Sequence, residues 1–203
     1  LGASGPGGRG VIGAQRMLGK IDVITGSLGR GFASVGGFVA GDHPALKAAL
    51  RLASGAQAMS GAISPMQAAV AVAAIDLVDG AEGEARRARL AANVARLRAG
   101  MAQAGYDVLG EPSAIVPVHL GSPADARRLT AEMLGSGAIV NLDEPPVVAR
   151  AACRWRLQVM AGHSEADMDL FVALAARARA GLALREGLSG GLHAAQPGLL
   201  RPH

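Results

Sequence analysis

The sequence predicts an α/β protein made of two dissimilar units. Three observations predict it. Short β-branched runs alternate with helical stretches that start at proline, and half of the 203 residues are apolar, enough for a substantial core. A long charged stretch then divides a glycine-punctuated first part from a second part in which strands and helices alternate.

Residues 1–10 are glycine-rich and are expected to be loop, because glycine adds backbone entropy that no side chain offsets by burial. A start with neither Met nor a preceding element reads as part of a longer protein. Ile21–Thr25 and Gly36–Ala40 are expected as two buried strands, joined by the turn Gly26-Ser-Leu-Gly-Arg-Gly31. Pro44 is placed to open a helix reaching about Gln57, and Ser64-Pro65 opens another that runs to about Asp79. This second helix is apolar almost all round and is expected to be buried on most sides. Between Glu82 and Ala104, Leu90, Val94, Leu97 and Met101 form one apolar stripe on a charged helix. The remainder reads as a small α/β unit with a mixed sheet: strand 114–120, helix 123–134, strand 139–142, strand 154–160 and helix 164–184. The expected organisation is therefore 1–80, a linking helix region 81–110, a small C-terminal α/β domain 111–185, and a disordered Gly/Pro-rich tail 186–203.

Several functions are disfavoured by composition. Five aromatic residues offer little surface for stacking bases, and the net charge of +4 comes from arginines interspersed with Asp and Glu, so nucleic acid is not an expected partner. The lone Cys153 reads as core. With no second cysteine and no cluster of metal-ligand spacing, the chain is expected to be metal-free and cytoplasmic. No apolar run is long enough to span a membrane. Of the 20 basic residues only Lys20 and Lys47 are lysines.

Taken alone, Ser27 caps a turn, Arg156 is a solvated charge on the strand face opposite Trp155 and Leu157, and His163 starts or packs against a helix. Four blocks in order give a second reading. Leu1–Gly10, the segment Asp22-Val-Ile-Thr-Gly-Ser-Leu-Gly-Arg-Gly-Phe-Ala-Ser-Val-Gly-Gly-Phe-Val-Ala-Gly41, Met59-Ser-Gly-Ala-Ile-Ser-Pro65 and Cys153-Arg-Trp-Arg-Leu-Gln-Val-Met-Ala-Gly-His163 together resemble the C-terminal part of the α-oxoamine synthases.

That resemblance implies a fold-type-I pyridoxal-phosphate transferase: the end of the large cofactor-binding domain followed by the small C-terminal α/β domain. It implies pyridoxal 5'-phosphate as cofactor, an amino acid and an acyl-CoA as substrates, and a homodimer or a heterodimer with a homologue. Ser27 falls at the hydroxyl that meets the cofactor phosphate, and Ser60 at a phosphate contact from a neighbouring subunit, with Gly61 and Ala62 where the family has a further hydroxyl. Arg156 falls at the guanidinium that grips the amino-acid carboxylate through paired hydrogen bonds. The family's pyridine-pairing Asp and ring-stacking His belong before Leu1.

The position of the family's Schiff-base lysine is occupied by Arg30. A guanidinium keeps its proton and delocalises its lone pairs, so it can neither form that linkage nor remove the substrate's α-proton. No catalytic residue is therefore expected in this chain, and a non-catalytic subunit partnering a lysine-bearing homologue is the alternative.

Overall fold

The computed structural model describes residues 1–194, which fall into two compact units, Leu1–Arg89 and a second beginning at Leu90. The division lies inside one continuous helix.

The first unit opens with a 3-10 turn at Pro6–Gly8, inside the stretch expected to be loop, followed by a short helix α1 (Gly10–Ala14). Proline presets the backbone for the turn, and two hydrogen bonds of 2.7 Å, Gly2 N–H to the Gly8 carbonyl and Gly10 N–H to that of Ser4, close it. Only glycine fits at position 5, where φ is 73° and a Cβ would lie 2.3 Å from the Gly10 carbonyl oxygen.

Strands β1 (Ile24–Ser27) and β2 (Gly37–Ala40) pair antiparallel, from Ile24 opposite Ala40 to Ser27 opposite Gly37. Residues 21–23 are not strand because β2 ends at Ala40 and leaves them without a ladder partner. Neither strand has a buried residue, contrary to expectation, since this two-stranded ribbon is not covered within its unit. The helix expected from Pro44 is two helices, α2 (Leu46–Ala53) and α3 (Gly55–Ala58). Ser54-Gly55 breaks it: Ser54 turns to ψ 109°, a departure that poor helix formers make cheaply.

Helix α4 (Pro65–Asp79) starts where the sequence predicts, with the Ser64 hydroxyl accepting the Gln67 N–H at 3.3 Å. Its expected burial is corrected. Ala71 is the one buried residue among those of α4, whereas Met66, Val70, Val72 and Ile75 are exposed. Those apolar side chains have no covering layer within the unit.

Helix α5 (Ala81–Gln103) carries the chain into the second unit, where Val94, Leu97 and Met101 of the predicted stripe are buried and Leu90 packs beside them. The sheet that follows has the order β3 (Asp107–Val108), β4 (Ile115–Gly121), β6 (Cys153–Gln158), β5 (Leu142–Asp143). All neighbours are antiparallel, not mixed as expected. The physical reason is that β4, helix α6 (Pro123–Gly135) and β5 form a split β-α-β unit, with β6 inserted between the two strands that would otherwise pair in parallel.

The pleat sends Val116, Val118 and Leu120 of β4, and Cys153, Trp155 and Leu157 of β6, into one core with Leu129 and Met133 of α6. Tyr106 joins them, its hydroxyl donating to the Ala175 carbonyl at 2.9 Å. Burial pushes that phenol up to about 12. Helix α7 runs Glu165–Ala194, past the start of the tail expected from residue 186. Gly190-Gly191 weakens a helix by only about 1 kcal/mol per residue; residues 195–203 of that tail lie outside the described residues.

An exposed ion-pair group ties α5 to the start of α7. Arg96 donates to both Asp169 carboxylate oxygens at 2.7 Å and to Glu165 at 2.8 Å. The hydrogen-bonded guanidinium holds the Asp169 carboxyl below the usual carboxylate range, and the Ser164 N–H and hydroxyl do the same for Asp167. A lowered native pKa contributes stability above the unfolded value and loses it as pH falls through the native one. The melting temperature is thus expected to fall below about pH 4. Comparing pH 7 with pH 3 should show a smaller drop in Arg96→Gln than in the unmutated protein, and an equal drop would remove Asp169 from the account.

Candidate functional site

The β1–β2 connection is a closed loop. Leu28 N–H donates to the Gly36 carbonyl and Ser34 N–H to that of Leu28, both at 2.9 Å. The Ser34 hydroxyl, buried, donates to the Gln67 backbone carbonyl at 2.8 Å and lies 3.0 Å from that residue's Oε1, which ties the loop to α4. Ser27 sits at the loop's base and Arg30, exposed, at its tip. The Ser27 hydroxyl oxygen accepts the Gly29 N–H at 3.1 Å. It therefore caps the turn, as the residue taken alone suggests, and still has its proton to donate to an anion.

Ser60 is elsewhere in use: it follows α3, and its hydroxyl donates to the Ala56 carbonyl one turn back. Ser27 and Arg30 are thus brought into one loop, while Ser60 is bound to its own helix.

In the second unit Arg156 lies on β6, half-buried, on the face opposite buried Trp155 and Leu157 as predicted. Its N–H donates to the Asn141 carbonyl at 2.8 Å. Its side chain lines a cleft of about 570 Å³ whose walls include Leu97, Val140, Met168 and Phe171, and whose rim carries Met160 and His163. A guanidinium at an apolar-walled cleft suits a carboxylate with an aliphatic body. His163 does structural work here: its Nδ1 accepts the Met160 N–H at 3.3 Å, and its own N–H returns to the Met160 carbonyl. Cys153 is buried in the core, as expected.

Asn93 was not singled out by sequence reasoning. It stands on α5, buried, and its amide donates to the carbonyls of Met160 at 3.1 Å and His163 at 2.9 Å. A signal was present: Asn93 is three residues after Leu90 and four before Leu97, an amide on the apolar stripe.

A fold of this kind, with a hydroxyl-based turn and a strand arginine, defines a class. Residues 7–174 match aminotransferase class I and II, and the chain belongs to that family. Within it the chain falls among the α-oxoamine synthases, a pyridoxal-phosphate-dependent group. It is 36% identical over 177 residues to 8-amino-7-oxononanoate synthase of Geobacter metallireducens, covering 86% of this chain and 44% of that protein. It is 37% identical over 169 residues to a putative 8-amino-7-oxononanoate synthase 2 of Mycobacterium tuberculosis, covering 83% of this chain and 22% of that one. Among solved structures, a serine palmitoyltransferase with a pyridoxal-phosphate internal aldimine superposes with a TM-score of 0.83 at 30% identity, over 90% of this chain and 46% of that one. The Francisella tularensis 8-amino-7-oxononanoate synthase, at 19% identity and a TM-score of 0.75, covers 87% of this chain and 51% of its own, and shares the fold. The chain spans about half the length of most of the relatives it matches, or less.

The residues present fit the family's cofactor only in part. The Ser27 hydroxyl and the glycine turn suit a phosphate. A covalent linkage needs a primary amine at the turn, and Arg30 supplies none; Lys20 precedes β1 and Lys47 lies on α2.

Proposed function

We propose that this chain is part of an α-oxoamine synthase homologue that keeps the phosphate turn and the carboxylate arginine but does not condense an amino acid with an acyl-CoA. Residues 1–80 contribute the end of the cofactor-binding large domain, 81–110 the linking region and 111–185 the small domain. In this reading Ser27 meets the cofactor phosphate, Ser60 contributes from a neighbouring subunit, and Arg156 holds the amino-acid carboxylate.

One observation supports the proposal: the β1–β2 loop presents an exposed arginine, Arg30, at the position that the resemblance assigns to the family's lysine amine. The test is thiol release from acyl-CoA by the full-length protein with pyridoxal phosphate and a panel of small amino acids. No release above the protein-free rate is expected; amino-acid-dependent release would overturn the proposal.

A second reading is favoured by the apolar side chains that α4 exposes, Met66, Val70, Val72 and Ile75, which call for cover by further protein. In it the chain is the non-catalytic member of a heterodimer whose lysine-bearing homologue performs the reaction. No described helix is long and apolar enough to cross a membrane; a cytoplasmic setting is part of the proposed reading. Co-purification of such a homologue with the tagged chain would favour this reading, and isolation of the chain alone or as a homodimer would count against it.

A further inference from the structure

We propose that Asn93 is a positioning residue for the Arg156 cleft: it holds the Met160–His163 turn that forms the cleft's rim. The part that concerns ligand rests on the reading of Arg156 as a carboxylate grip; the part that concerns the turn does not.

The turn runs from the end of β6 to the start of α7. It has two bonds of its own, His163 N–H to the Met160 carbonyl and Met160 N–H to His163 Nδ1, both 3.3 Å long. These are at the long limit for such bonds. The two shorter bonds come from outside, where the buried Asn93 amide donates one N–H to Met160 at 3.1 Å and the other to His163 at 2.9 Å. Both carbonyls belong to residues that line the cleft. A single amide fork on α5 thus fixes the spacing of two residues that line the same cleft as Arg156.

The test uses Asn93→Leu, which keeps the branched shape and removes both donors, in the ¹⁵N-labelled protein. Expected are exchange of the Met160 and His163 amides faster by about tenfold or more, with the Val118 amide of β4 unchanged, and binding of L-alanine weakened by about tenfold, the scale of one lost buried hydrogen bond. Unchanged exchange at Met160 and His163 overturns the proposal. Faster exchange with unaltered L-alanine affinity overturns the link from the turn to the cleft. Absence of L-alanine binding in the unmutated protein overturns the carboxylate reading of Arg156, and the ligand part of the proposal with it. Should Asn93→Leu not fold, Asn93→Ser, which retains one shorter donor, is read in the same way, with an intermediate change in exchange expected.

Discussion

Arg30→Lys in the full-length protein is expected to raise amino-acid-dependent thiol release from acyl-CoA by on the order of a thousandfold or more over the unmutated protein, the usual scale for restoring a catalytic nucleophile. The loop around position 30 is held by backbone bonds from Leu28 and Ser34 and by the Ser34 hydroxyl on α4, none of which involves the arginine side chain. Arg30 is exposed, so a lysine replaces it without repacking. The change swaps a permanently protonated guanidinium for an amine that can be deprotonated in a desolvated site. Release unchanged by the substitution would mean that the site has decayed beyond this one position.

The largest effect on stability is expected from Trp155→Ala. Trp155 is fully buried at the centre of β6; its Nε1 donates to the Thr130 hydroxyl at 2.9 Å, and its ring sits 5.6 Å from that of Tyr106, over which Arg179 lies at 4.9 Å. Truncation removes the largest side chain of the core, leaves a cavity beside Tyr106, and strips Thr130 of a partner. The expected loss is about 3–5 kcal/mol, comparable with the whole stability of a small domain. Urea unfolding followed by far-ultraviolet dichroism checks it, with the second unit expected to be largely unfolded in the variant at 25 °C. Trp155→Phe, which keeps the ring and loses the hydrogen bond, should cost less than half as much.

These two residues also show how unevenly the sequence could be read. The second unit was legible because its signals are local and agree with one another. The Leu90–Met101 stripe and the alternation around Trp155 each define one element and one face, and the proline after Ser122 marks where α6 starts. What was misjudged there was pairing: a strand run carries no information on which strand is inserted beside it, so the antiparallel order β3-β4-β6-β5 could not be read from alternation.

In the first unit the error was of another kind. An apolar helix such as α4 and β-branched runs such as those around Ile24 and Val39 announce burial, but not what buries them, and within this unit they remain exposed. Arg30 and Arg156 could be singled out in the sequence because residue type alone limits their chemistry. Asn93 could not, since its partners lie 67 and 70 residues away.

In the proposed reading the family fold persists here without its covalent linkage. Borohydride reduction of the unmutated protein saturated with pyridoxal phosphate, followed by peptide mass mapping, tests that claim most directly. The predicted result is no pyridoxyl mass increment on the peptide bearing Ser27 and Arg30. A stoichiometric increment on that peptide would contradict the account.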